Sequence, residues 1–151
     1  MSRDKLHLTV AAVVHYNGKF LFVEERDKLS GTVVLNQPAG HVEQDEDIVS
    51  AITRELFEET GLHLEPTAWL GISQLSAANG HRYVRLNFAF EPAALPLQYQ
   101  PQDSDILALH WLSAAELSRT TRPLRSALVS DAIEVFQRGV RLPLELIQPS
   151  R

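Results

Sequence analysis

Three glutamates, Glu55, Glu58 and Glu59, stand at i, i+3 and i+4 in a stretch whose apolar residues recur at helical intervals. At about 100° per residue, Ile48, Val49, Ile52 and Leu56 gather on one side of such a helix, and the carboxylates fall on its flank, roughly 80° from the centre of the apolar stripe. A plain surface helix carries its charges opposite the stripe. Here the three side chains are neighbours, about 5–6 Å apart at Cβ, and like charges that close repel, more strongly when partly buried. Two arrangements relieve the repulsion: one carboxyl keeps a proton, or a cation lies between them. Hard oxygen ligands of this kind suit Mg²⁺ or Mn²⁺. Arg54 reaches Glu58 by the i, i+4 rule and orients a carboxylate without occupying a cation site. The segment from Gly40 to Glu46 returns the chain to the helix start, where a backbone carbonyl is able to add another oxygen. The bland alternative is a solvated acidic helix end, the usual fate of a charge run.

The rest of the composition narrows what such a site could serve. With 151 residues, 44% hydrophobic and 22% charged, the chain is expected to be one globular domain over 1–151 rather than a disordered or fibrous protein. A net charge of −5 opposes a polyanion, and the basic residues are scattered, so no nucleic-acid polymer is expected as partner. An acidic protein that acts on phosphates must gather positive charge locally, and a bound divalent cation does so most simply. There is no cysteine, which excludes disulfides, thiolate nucleophiles and sulfur-ligated metals and suits the cytoplasm. The basic start, Met1 to Lys5, precedes an apolar stretch ending at Val14 that is too short to span a bilayer and is interrupted by His7 and Thr9. No membrane association is expected, and a monomer is favoured.

The elements that must position the glutamates follow from local patterning. Residues 6–15 read as a half-buried strand, Asn17-Gly18 as a hairpin turn and Lys19–Glu25 as the returning strand. Residues 26–32 read as a loop and Val33–Leu35 as a short strand. The stretch Asn36–Asp45, with Pro38 and Gly40, is expected to be irregular. Ile48–Thr60 is the box of helical spacing already described, stopped by Gly61. Ala68–Leu75 and Arg82–Glu91 are two further strands. In the second, Val84, Leu86, Phe88 and Phe90 face one way, and Tyr83, Arg85 and Asn87 the other. A proline-bearing loop over 92–104 leads to a strand at Ile106–Leu112, a short helix capped by Ser113 with Glu116, and a last helix over Leu124–Arg138 closed by Gly139. Strands and helices in this mixed order predict an α/β fold with helices packed on a mixed sheet.

Gly40 is followed by five residues and Glu46, then seven residues and Arg54-Glu55, then Leu56, one residue, Glu58-Glu59, one residue, Gly61 and Leu62. At every defined position this spacing resembles the Nudix box. Beyond it, Asn36-Gln37-Pro38-Ala39-Gly40-His41, Asp103-Ser104-Asp105-Ile106, Trp111, Leu124-Arg125-Ser126 and Arg141-Leu142-Pro143-Leu144-Glu145 resemble a bacterial phosphatase subgroup of that family. The resemblance implies a Nudix-type α/β/α sandwich with a mixed β-sheet, and a hydrolase that breaks a phosphoanhydride bond. It implies that Glu55, Glu58 and Glu59 hold Mg²⁺ (or Mn²⁺) with the carbonyl of Gly40, while Arg54 and Glu46 brace them. Water attacks phosphorus and a glutamate takes its proton, which makes Glu55, Glu58, Arg54 and Glu46 the catalytic group. The base in some members comes from a later loop, so Asp105 is a further ligand or base candidate.

The implied substrates are small nucleoside di- or triphosphates, or thiamine-type (hydroxymethylpyrimidine) diphosphates. The alternatives are an ADP-ribose or dinucleoside polyphosphate pyrophosphatase, and a non-catalytic Nudix module that only binds a nucleotide and has no need of intact carboxylates. Gln37, His41, Arg85 and Arg125 are candidates for substrate contact. Each has an ordinary alternative: loop backbone satisfaction for Gln37 and His41, an exposed sheet position for Arg85, the surface for Arg125. Arg125 at the start of a helix is a cation where the macrodipole disfavours one, which hints at an anion nearby. Asp103 and Asp105 are equally turn residues. Tyr83 and Trp111 could stack on a ring or pack in the core. The six histidines show no spacing of metal ligands along the chain, so zinc is not expected.

Overall fold

The computed structural model describes residues 5–149, and the basic start at Met1–Asp4 lies outside them. The first strand, β1 (Leu6–Tyr16), turns through Asn17 (φ 50°) and Gly18 (φ 76°) into β2 (Lys19–Arg26). Two successive positive φ values match the right-handed twist of paired strands, which is why Asn-Gly makes this turn well. Then follow β3 (Val33–Asn36), β4 (Ala39–His41), α1 (Ile48–Thr60), β5 (Ala68–Ser76), β6 (Arg82–Phe90), β7 (Ile106–Leu112), α2 (Ala114–Arg119) and α3 (Ala127–Gln137). A single 3-10 turn over Leu144–Leu146 precedes the end. Among the described residues no helix is long and apolar enough to cross a membrane.

The seven strands form one mixed sheet in two halves that share only the base of the β1–β2 hairpin. In one half, β1 pairs in parallel with β6 and antiparallel with β4, while β5 pairs with β6. In the other, β2 lies between β3 and β7, antiparallel to both. β1 and β2 diverge beyond Phe20, and β4 takes the place beside Thr9–Ala11 that β2 vacates. A gap opens there between the two halves.

Period-two alternation divides the core into two layers. Val10, Ala12, Val14, Leu21, Leu86, Phe88 and Phe90 pack with Ala51, Ile52 and Leu56 of α1. Val13, Phe20, Phe22 and Ala89 face the opposite way, against Leu117 of α2 and Val129, Ala132, Ile133 and Phe136 of α3. Helices on both faces of the sheet make the expected α/β/α sandwich. Ile52 and Leu56 have no exposed surface, and burying each contributes about 1.5–3 kcal/mol.

Two local expectations are corrected, and one of two open alternatives falls away. The segment 36–45 is not wholly irregular, because Ala39–His41 forms β4. Pro38 stands just before that strand, where its missing N–H costs no ladder bond, and its carbonyl accepts from Ala12 N at 2.9 Å. The last helix begins at Ala127 rather than Leu124. Leu124 bridges Leu35 in parallel, Arg125 N donates to Leu35 O at 2.9 Å, and the Ser126 side chain caps the helix. These sheet-like bonds hold the chain extended until the cap. Finally, the polar face of β6 is not exposed: Arg85 and Asn87 are buried.

Helix α1 ends as its sequence requires. Gly61 adopts φ 81° and donates its N–H to Phe57 O at 2.7 Å. A Cβ there would overlap the backbone of Gln100, part of a loop whose Gln102 and Asp103 N–H groups both donate to Glu58 O. Gly61→Ala therefore combines a left-handed conformation with a steric clash. It is expected to cost about 1–3 kcal/mol, read as a lower urea midpoint with an unchanged slope.

Candidate active site

Asp47 caps α1 by accepting from Ser50 N, and the helix carries Arg54, Glu55, Glu58 and Glu59 toward the gap beside β4. Arg54 organises one side. Its Nε and Nη2 donate to the two oxygens of Glu46 at 2.6 and 2.9 Å, a bidentate pair. Its Nη1 donates to Glu55 Oε1 at 2.8 Å and Glu58 Oε2 at 3.2 Å, and Nη2 also reaches His41 O at 3.2 Å. The hydrogen bond from Arg54 holds the Glu46 carboxyl below its usual range, and the Glu46 partnership in turn keeps Arg54 firmly protonated.

The three glutamates are not equivalent. The Glu58 side chain is 44% exposed, that of Glu55 only 13%. Glu59 is buried and accepts from Ala39 N at 2.9 Å, a bond made possible by β4. Burial pushes the Glu59 carboxyl up to about 9 despite that bond, and the charges of Glu25, Glu55 and Asp103 add to the effect. Burial also raises Glu55, partly offset by Arg54. Gly40 lies so close to Glu55 that a Cβ on it would overlap the carboxyl group. The box glycine is thus required by space, since its φ is not in the left-handed region.

These residues fit a hard divalent cation. Two carboxylates destabilised by burial and mutual repulsion lie beside a glycine backbone with no side chain in the way, and all the donors are oxygen. The trio is not drawn to a single point: among the described residues no three His, Cys, Asp or Glu side chains converge as a ready cage. Glu58 is turned to Arg54, and one oxygen of Glu59 is engaged by Ala39.

On the other side of the gap is a cavity of about 360 Å³ whose lining includes Ala39, Gly40, His41, Glu25, Asn36, Tyr83, Arg85, Arg125 and Ser126. Arg85 is 5% exposed. Burial, with Arg125 close by, lowers its guanidinium to about 10, and Glu25 and Glu59 oppose the shift. The exposed-strand alternative for Arg85 therefore falls away: it shares the cavity wall with Arg125, Ser126 and Leu128. Arg125 lies ahead of the Ser126 cap rather than within the helix, and its Nη1 stands 3.5 Å from Glu25 Oε1. His41 reaches the same cavity.

Gln37 does not. It is fully buried, its Nε2 donates to Val129 O at 2.7 Å, and it lies outside the cavity lining. Its amide nitrogen serves the junction with α3, the backbone role that stood as its ordinary alternative. Asp105 lies in an adjoining hollow with Glu59, Asp103 and Glu25, but its side chain is 61% exposed and paired with Lys28 at 3.2 Å. Asp103 is the member of that loop whose charge is felt by Glu59. Trp111 donates to Tyr99 OH at 2.8 Å and packs with the α1-side core, whereas Tyr83 lines the cavity. Three histidines scattered along the chain meet through strand register: His7 contacts His41 at 2.9 Å and His81 at 2.6 Å, with Tyr83 stacked on its ring. Each contact uses a different nitrogen of His7, so they form a chain rather than a cage. Sequence reasoning assigned no role to Glu25, whose only signal was an acidic residue near the end of a strand, and quoted Asn36 in a motif without giving it one.

An α/β/α sandwich carrying an acidic helix against a glycine at a split in the sheet agrees with the Nudix resemblance of the sequence. The NUDIX domain model matches residues 5–133, and the chain belongs to the Nudix family and is a hydrolase of it. It is 45% identical over 143 residues to phosphatase NudJ of Escherichia coli K12, an alignment covering 95% of this chain and 91% of that one. It is similar in structure to a NUDIX hydrolase from Nitrosomonas europaea, with a TM-score of 0.86, 35% identity, and coverage of 95% and 97%. A bifunctional NMN adenylyltransferase/ADP ribose pyrophosphatase from Francisella tularensis, complexed with AMP and Mn ion, is also similar, at TM-score 0.66 and 25% identity over 87% of this chain and 41% of that one.

The sign of the Glu59 effect on stability is definite. Its folded-state value lies above the ordinary 4.5, so the native protein retains a proton that the unfolded chain loses as pH rises. Stability falls through that window and is unaffected below it. Without divalent metal at about pH 8, Glu59→Gln is expected to melt above the parent protein, with the gap closing near about pH 4.5. Mg²⁺ should then raise the melting temperature of the parent and not of the variant. A variant that gains as much from Mg²⁺ as the parent would remove Glu59 from the cation site.

Proposed function

We propose that this enzyme hydrolyses a phosphoanhydride bond of a nucleoside di- or triphosphate, or of a thiamine-type (hydroxymethylpyrimidine) diphosphate, with Mg²⁺ as cofactor and Mn²⁺ as a substitute. One juxtaposition carries the reading. Buried carboxylates that need a cation stand beside Gly40 at one edge of a cavity, and a buried arginine with no carboxylate pair among the described residues stands in its wall. A phosphate chain is the ligand that satisfies both.

Glu55, Glu58, Glu59 and the Gly40 carbonyl would hold the metal. When bound, it neutralises phosphate charge and lowers the pKa of water at the site. Arg54 and Glu46 keep Glu55 and Glu58 aimed inward through the hydrogen bonds described above. Glu58, the most exposed of the trio, has the room to take a proton from the attacking water. Arg85 and Arg125 bind phosphate oxygens across the cavity, and His41 borders the entry. Asp105 would join as an outer acidic group only after leaving Lys28. We place this single-domain enzyme in the cytoplasm, which a cysteine-free chain suits.

A second reading is an ADP-ribose pyrophosphatase, in line with the similar bifunctional NMN adenylyltransferase/ADP ribose pyrophosphatase from Francisella tularensis. A nucleotide-binding module without turnover is disfavoured by the complete set of carboxylates. Phosphate release with Mg²⁺, screened over nucleoside di- and triphosphates, thiamine diphosphate, ADP-ribose and dinucleoside polyphosphates, separates all of these. Saturable binding with no product in any case would identify the module.

Two substitutions test the roles. Glu58→Gln is expected to lower kcat by about two to four orders of magnitude with an unchanged circular dichroism spectrum, and normal turnover would take Glu58 out of the site. Arg125→Ala is expected to raise KM about tenfold with little change in kcat. An unaltered KM would return Arg125 to a surface role.

A further inference from the structure

Arg85 presents a problem of hydrogen-bond accounting. A guanidinium has five N–H donors, and this one is buried. Yet its recorded side-chain bond is single, from Nη2 to Asn36 Oδ1 at 3.0 Å, and no ion pair is formed by it among the described residues. The Asn36 amide is also buried and faces the other way as well: Nδ2 donates to Glu25 Oε1 at 3.1 Å. The same Glu25 oxygen stands 3.5 Å from Arg125 Nη1. Four side chains, from β6, β3, β2 and the residue before the α3 cap, thus form the line Arg85–Asn36–Glu25–Arg125. All four line the same cavity.

The chemistry of the middle link is specific. Between a group that only donates and a group that only accepts, an amide has one satisfactory orientation: oxygen to the guanidinium, nitrogen to the carboxylate. An aspartate in its place would neutralise Arg85 and repel Glu25. The line itself carries two positive charges and one negative, and Arg85 is left with no carboxylate of its own among the described residues. We infer that Asn36 and Glu25 are positioning residues that hold Arg85 and Arg125 ready as a two-guanidinium clamp for the phosphate chain of the substrate. This rests on the proposed reading that the two arginines meet phosphate. It adds that their aim is set by a polar relay across the β2–β3 ladder, where Val23 pairs with Asn36 and Glu25 with Val34. Preorganisation of this kind strengthens anion binding because the donors need no rearrangement when the anion arrives.

The test is a double-mutant cycle on the full-length enzyme with Mg²⁺, using the best substrate of the screen for KM and kcat and inorganic pyrophosphate as a competing anion for Ki. Asn36→Ala is expected to raise KM and the pyrophosphate Ki about tenfold while kcat stays within about twofold. Asn36→Asp should do at least as much, because its charge occupies Arg85. Arg85→Ala should raise both constants, and Asn36→Ala added to it should cost clearly less than Asn36→Ala does alone, since the part of its effect that runs through Arg85 is already lost. A merely structural asparagine would instead give losses that multiply. Melting temperatures identify the folded variants, and if Asn36→Ala does not fold, a cycle of Glu25→Gln with Arg125→Ala takes its place.

Multiplying losses, or an Asn36→Ala enzyme with parental KM and Ki, would overturn the relay. If Arg85→Ala raises KM but Asn36→Ala does not, the phosphate contact stands and only the relay falls. If Arg85→Ala changes neither constant, the contact itself fails and the relay with it.

Discussion

Glu59 is buried, takes part in no ion pair among the described residues, and lies within reach of the charges of Glu25, Glu55 and Asp103. A folded protein tolerates such crowding only with a proton, or with a cation of its own. Much of the surrounding structure is arranged around that constraint. β4, three residues long, supplies the Ala39 N–H to Glu59. Gly40 leaves the volume that the Glu55 carboxyl fills. Arg54 draws Glu46, Glu55 and Glu58 together through its ion pairs. Gly61 ends the helix just past the last glutamate and lets the 100–103 loop close against it.

The sheet supplies the opposite charge. Because β1 leaves β2 after two paired positions and turns to β4 and β6, the two halves separate and a cavity forms along the split. Gly40, which stands against the Glu55 carboxyl, lines it at one edge, and Arg85 and Arg125 line it as well. A chain with net charge −5 thereby presents two guanidinium groups at one point without becoming basic overall. Local fields of this kind guide a small anion where net charge does not. The family resemblance in sequence and the similarity to solved Nudix structures agree with this architecture.

How much of this was legible before folding depends on the range of the interactions concerned. The acidic helix, its Gly61 stop, the Asn17-Gly18 hairpin and the Ser113–Glu116 capping box were all readable, since each is set by residues within a few positions of one another. β4 was not, because three residues with a preceding proline become a strand only when β1 offers its edge. The last helix read three residues too long at its start, since pairing of Leu124 with Leu35 lies outside any local window. Gln37 was a substrate candidate by its position beside the box, whereas its amide nitrogen bonds Val129, 92 residues away.

The sequence by itself determined the chemistry that is available: hard oxygen donors at helical spacing, a glycine that must stay small, an arginine to order them, and no cysteine to do anything else. Those properties lie in residue types and short intervals, which the chain carries in any conformation. Only the tertiary structure decided which charges face one another. It buried Glu59 and left Glu58 partly in solvent, set Arg85 beside Asn36 from 49 positions away, and gave Asp105 to Lys28. The reason is that burial and long-range pairing depend on strand order and on where the sheet divides, and periodicity along the chain carries no information about either.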